Sequence, residues 1–180
     1  MKPHLRITLM ALFAAWSAAF QLMPNVPGTY LLKFNGFPII LSGFVLGPVG
    51  GFWTGGVADL VCFLVKPSGP YIPLFTLTSA LTGWLPVWLY SHWPAARNQQ
   101  GQLKLSWWRL LAVIALAQVA IKVLLVTTFR AVLFGLPWPV LALRAGLEQM
   151  VHAPLYAYAA WVVLRRVALP SPRGSRVSAL

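Results

Sequence analysis

Between Gly47 and Gly83 the chain reads GPVGGFWTGGVADLVCFLVKPSGPYIPLFTLTSALTG: two apolar segments, a proline- and glycine-rich break, and one acid, Asp59. Apolar runs of this kind follow one another along the whole sequence, and about twenty such residues make one helical span of a bilayer. Lipid offers the backbone no hydrogen bonds. Short segments broken by glycine and proline are therefore tolerated only where their free polar groups face protein or a cavity. A carboxylate among apolar neighbours costs roughly 3 kcal/mol on insertion, so Asp59 needs a partner or a purpose.

The runs predict spans near 5–23, 36–50, 51–65, 72–91, 107–129 and 145–164. The second and third are short and meet at GPVGG, where Pro48 and its neighbouring glycines force a tight turn. Residues 92–106 and 134–143 read as connections, the latter proline-rich and partly interfacial. The expectation is an all-α integral membrane protein. A single domain of six transmembrane helices covers 1–164, and a basic, disordered cytoplasmic tail covers 165–180.

Composition narrows the function. With 59% hydrophobic and 9% charged residues, a water-soluble globule is excluded. A net charge of +12 would suggest nucleic acid in a soluble protein, but these basic residues cluster at span ends, so it reports topology and no nucleic-acid partner is expected. With both termini cytoplasmic, Lys2, Arg6, Arg97, Lys104, Arg109, Arg165, Arg166, Arg173 and Arg176 lie inside. Lys33, Lys66, Arg130 and Arg144 lie outside, and Lys122 falls within the fifth span. The first segment admits a second reading as a signal peptide, because Lys2 and Arg6 precede an apolar run ending in Ser17-Ala18-Ala19.

Cys62 is the sole cysteine, and His4, His92 and His152 lie in separate segments, so neither a disulfide nor a metal site is expected. Two acids, far apart in sequence, provide no paired-carboxylate chemistry. No catalytic residues and no cofactor are predicted.

The central forty residues resemble the substrate-binding (S) components of energy-coupling factor vitamin transporters, and within them the folate-specific group. The resemblance rests on Gly47-Pro48, on Gly55-Gly56-Val57-Ala58-Asp59, and on the stretch from Pro67 to Leu77, PSGPYIPLFTL. A usual Pro-Gly-Phe-Thr reads Pro73-Leu74-Phe75-Thr76 here and departs at Leu74. An Arg opening the last helix and a later Pro correspond to Arg144 and Pro154. The resemblance implies an S-component-like bundle in the cell membrane that captures a vitamin from outside. It also implies docking on a transmembrane coupling protein with two ATPase subunits. The chain itself has no GxxxxGK[ST] loop.

The same resemblance gives residues their roles, each beside a plainer reading. Ala11, Ala15 and Ala19 recur every fourth residue, with Ala14 and Ala18 in a parallel row. Small residues at that spacing let another helix approach closely. Spacing alone fits internal packing equally well, and the family implies a docking face. Asp59 is a ligand contact or half of a structural ion pair, with Lys66 the nearest base in sequence. Lys122 lies roughly 22 Å along its helix from Trp107, with Gln118 and Phe129 nearly on its face. Lys122 and Arg130 either snorkel to the interface or meet the carboxylates of a folate. Arg144 and Glu148 are spaced as a helix ion pair, and Arg144 could instead bind a ligand carboxylate. His152 is expected to face a neighbouring helix. Tyr71, Phe75 and Trp138 are an aromatic belt or the faces that hold a pterin.

The expected substrate site is thus Asp59, Tyr71, Phe75, Lys122, Arg130 and Arg144. The alternatives are an S component for a different vitamin, or a non-transporting scaffold of the rod-shape-determining type.

Overall fold

The computed structural model describes residues 3–23, 34–67, 69–93 and 106–166. The tail 167–180, most of the 92–106 connection, and Lys2, Lys33, Arg97, Lys104, Arg173 and Arg176 lie outside the described residues. Among the described residues the chain is all helical, with six helices. They are α1 (Pro3–Leu22), α2 (Gly36–Leu46), α3 (Pro48–Val65), α4 (Pro73–His92), α5 (Trp107–Phe134) and α6 (Trp138–Arg166). Three of them, α1, α3 and α5, are long and apolar enough to cross a bilayer on composition alone. The proline inside α4 (Pro86) and the polar residues along α6 make those two helices less apolar than a lipid-facing span.

Two regions depart most from the predicted spans, and the last helix also runs on through Arg165 and Arg166, expected in the disordered tail. The second span ends at Leu46, not 50, because Gly47 alone makes the turn. Its φ of 88° suits glycine and strains other residues, and Pro48 then opens α3 at a position where no backbone donor is needed. The stretch 134–143, expected as a connection, is mostly helix. Gly135, at φ 63° and ψ 23°, ends α5 in the left-handed conformation, and α6 begins three residues later at Trp138. Trp138 Nε1 donates to Thr128 Oγ1 at 3.3 Å and clasps the two helices together.

The short helix α2 is the centre of the bundle. Nine of its eleven residues are buried, as expected of a helix apolar all round, and it packs against α1, α3, α4 and α6. Its ends are tied to α1. Arg6 Nη2 donates to the Leu46 carbonyl at 2.9 Å, and Ser17 Oγ donates to the Asn35 carbonyl at 2.7 Å. The two helices therefore run antiparallel.

Glycines bring α2, α3 and α4 into backbone contact. Gly51 and Gly55 lie one turn apart on α3, and a Cβ at Gly55 would collide with the Ser79 carbonyl of α4. Gly51 and Gly83 face each other in the same way. Small residues at four-residue spacing are the usual device for close helix approach in membranes. The other half of the bundle packs side chains: Ile40, Leu110, Ile114, Ala157 and Ala160, all fully buried, join α2, α5 and α6.

The glycine seam yields a test. Gly55→Ala should destabilise the protein by about 1–3 kcal/mol, the usual cost of overpacking. Gly56→Ala should be neutral, because its added Cβ would lie 3.9 Å from the nearest atom, Ala80 Cβ. Thermal unfolding in detergent compares the two; equal midpoints would mean that the seam is not tight.

Candidate functional site: a cationic recess above the short helix

Because α2 begins only at Gly36, space remains beyond its first turn between α5 and α6. A cavity of about 350 Å³ occupies it, floored by Asn35 and Gly36 and walled by α5 and α6. From α5 come Gln118, Lys122, Val126, Thr127 and Arg130; from α6 come Arg144, Ala145, Glu148, Gln149, His152 and Tyr156.

Local winding explains the α5 wall. In an α-helix a four-residue step overshoots a full turn by about 40°, so 118, 122, 126 and 130 would drift well round the helix. Here Val119–Val126 is π-helical, a wider winding that occurs often at functional sites. Thr127 Oγ1 reaches back five residues to the Lys122 carbonyl at 3.1 Å. All four positions consequently face the cavity, whereas Phe129, expected on that face, does not line it. The α6 wall is an ordinary helical stripe, with residues three or four apart in line.

The lining is cationic: Lys122, Arg130 and Arg144 stand against one carboxylate, Glu148. Arg144 Nε meets Glu148 Oε1 at 3.2 Å, and the two side chains are 70% and 35% exposed. Lys122 is half-buried and has no hydrogen bond or ion pair among the described residues. A desolvated ammonium without a counter-charge is costly. Two amides are also unsatisfied: Gln118, 1% exposed, and Gln149, 8% exposed, leave Nε2 and Oε1 respectively without a hydrogen-bond partner among the described residues. Buried polar groups are nearly always paired, so these atoms have hydrogen-bonding capacity that the described residues do not use.

Two aromatic rings, His152 and Tyr156, line the cavity beside its floor, and Phe34 and Phe37 pack behind them. His152 and Tyr156 stack with centroids 5.5 Å apart and planes at 24°. Phe34 stands edge-on to His152 at 6.3 Å, and Phe37 lies 6.3 Å from Tyr156. His152 does face neighbouring helices, and it also lines the cavity.

The cavity thus gathers Lys122, Arg130 and Arg144 from the six expected site residues. The other three form a separate group between α3 and α4. Asp59 accepts from Thr76 Oγ1 at 2.7 Å and Ser79 Oγ at 3.1 Å, while Tyr71 Oη and Thr76 Oγ1 share a 2.9 Å hydrogen bond. Tyr71 also packs on Phe63 with centroids 5.0 Å apart, and Phe75 is half-buried on α4. The partners of Asp59 are hydroxyls, and no ion pair with Lys66 is present among the described residues. Sequence reasoning passed over Gln149, Tyr156 and the aromatics packed behind the cavity. The available signal was the run of polar residues at helical spacing in α6, 144, 148, 149 and 152, on a helix expected to meet lipid.

On α1 the two alanine rows part company. Ala14 and Ala18 are buried, with Ala14 packed beside Ile39 and Ala58, whereas Ala11, Ala15 and Ala19 are exposed.

Fold and cavity together define a membrane-embedded helical domain with a cationic, amide-lined recess bordered by aromatic rings. The chain belongs to the substrate-specific component family of ECF transporters, whose profile matches residues 5–168. It is 24% identical over 139 residues to the folate transporter FolT of Clostridium novyi (strain NT), covering 76% of this chain and 75% of that protein. The crystal structure of a FolT bound with folic acid superposes with a TM-score of 0.68 at 23% identity, over 87% of this chain and 92% of that one. The S-component-like bundle is therefore the fold of this chain.

Proposed function

We propose that this protein captures folate, or a related pterin vitamin, from outside the cell and delivers it to a coupling module. The carrying observation is the recess itself: three cations beside two buried, unsatisfied amides and stacked aromatic rings. A folate presents a flat ring with hydrogen-bonding edges at one end and two carboxylates at the other. Aromatic faces suit the ring, the free amide atoms suit its edges, and guanidinium and ammonium groups suit the carboxylates. The likeness to relatives named as folate transporters supports the same reading. Asp59, hydrogen-bonded by Thr76 and Ser79, is assigned to fastening α3 to α4.

In this reading the chain is not an enzyme. Energy comes from two ATPase subunits through a transmembrane coupling protein, which docks on the exposed alanine row Ala11, Ala15 and Ala19. The buried row already holds α1 against the bundle, so the exposed row remains available to a partner helix. The charge bias at span ends supports cytoplasmic termini, which would place the recess on the outer face.

Four outcomes are expected. Folic acid should bind the detergent-solubilised protein without ATP, read by calorimetry. Arg144→Ala should weaken that binding roughly threefold to tenfold, because it removes a cation and leaves the Glu148 carboxylate unpaired in the recess, and Arg176→Ala should leave it unchanged. Failure of folates to bind, with tight binding of another vitamin, would move the specificity elsewhere in the family. Ala15→Trp should spare folate binding by the isolated protein while lowering both uptake and co-purification of the coupling module. Wild-type levels of both would return the alanine row to lipid. A reporter fused after Leu180 should be active only in its cytoplasmic form; periplasmic activity would invert the orientation.

A further inference from the structure

The chain has only two acids, and one of them stands in the wall of a cavity otherwise cationic. Its placement does nothing for the attraction of an anion. Glu148 weakens that attraction, and it does so at a particular place, against Arg144 at 3.2 Å. An i,i+4 pair on an exposed helix contributes little to stability, so helix support is a thin reason for a carboxylate here. What Glu148 does change is the charge left for a ligand. Among the described lining residues, Arg144 holds the one direct ion pair with Glu148, and neither Lys122 nor Arg130 has a carboxylate within ion-pair distance.

Resting on the folate reading above, we infer that Glu148 is a specificity-determining residue that sets how many carboxylates the recess accepts. Two unmatched cations balance the two carboxylates of a folate's single glutamate. A third carboxylate, as in a folate extended by one γ-linked glutamate, must either take Arg144 from Glu148 or lie against the Glu148 carboxylate. Both alternatives cost free energy. A pteroate, with one carboxylate, leaves one cation of the recess unmatched. The wild-type site is thereby tuned to a dianion, and it discriminates against longer tails by charge as well as by size. Discrimination through a repulsive group in the site is a general route to specificity.

The position of Glu148 makes the idea testable without disturbing the fold. Its side chain is 35% exposed and its hydrogen-bond partner is the still more exposed Arg144. Glu148→Gln keeps the shape and an acceptor oxygen and removes the charge.

The experiment is a charge series: pteroic acid, folic acid and pteroyl-γ-diglutamate, each titrated into the full-length protein in detergent. The wild type should bind folic acid best of the three. In Glu148→Gln the affinity for the diglutamate should rise relative to folic acid by roughly threefold or more, the scale of an exposed charge pair, and added salt should shrink the change. Glu148→Ala should shift the ratio in the same direction, which separates lost charge from any contact made by the new amide. A ratio unchanged within twofold in both variants, with folic acid still bound, would make Glu148 an ordinary helix pair and overturn the inference alone. Tighter wild-type binding of the diglutamate than of folic acid would overturn it as well. If the wild type bound none of the three, the folate reading itself would fall, and this inference with it.

Discussion

A helix of eleven residues rises about 16 Å, roughly half of the hydrocarbon thickness it must sit in. Its backbone donors at the first turn cannot be left in lipid, so α2 can exist only if other helices surround it. That requirement organises the bundle. The glycine seams let α3 and α4 close on one side of α2, α1 covers another, and α5 and α6 close the remaining side with large aliphatic contacts. The space beyond the first turn of α2 is then enclosed by protein on its flanks. A recess lined by polar groups is the outcome that satisfies the membrane's demand on the backbone.

The helix count and all-α class were legible because apolar runs and charge-bearing ends are strong signals in a membrane protein. GPVGG marked the turn correctly to within a few residues. It could not say that Gly47 alone suffices, since a positive φ is a property of one residue in its final context. The 134–143 stretch misled because two prolines and a tryptophan suggest a loop, yet proline is well tolerated in a first helical turn. Of the site, the charges on α5 and α6 stood out because ionised residues are rare in such segments. Gln149 carries no charge and sat below that threshold, and Gln118 drew notice only for sharing a face with Lys122. The π-helical winding of 119–126 has no sequence mark that distinguishes VAIKVLLV from an ordinary α-helical run, so the shared face of 118, 122, 126 and 130 could be seen only in the structure.

Asp59 shows how the same rarity can point in two directions. A lone acid in an apolar helix invites assignment to a ligand, because its cost must be offset by something. Two hydroxyls one turn apart on α4 offset that cost with no direct ion pair among the described residues, and they do so at the seam where the helices already touch. Lys122 is the converse: it too is rare, but no carboxylate or hydroxyl bonds its ammonium among the described residues. The two ionised groups thus differ in whether a bonded partner belongs to the chain.

Arg6 adds a measure of depth. Its guanidinium bonds the last carbonyl of α2, and an arginine near a helix end keeps its charge at the polar boundary of the bilayer. That pins one end of α2 to the membrane surface on the side where α1 begins. All of the length that α2 lacks therefore accumulates at its other end, so the floor of the recess lies roughly 14 Å below the opposite surface, about 30 Å less about 16 Å. A solute reaching Tyr156 has already crossed nearly half of the permeability barrier without any helix having moved.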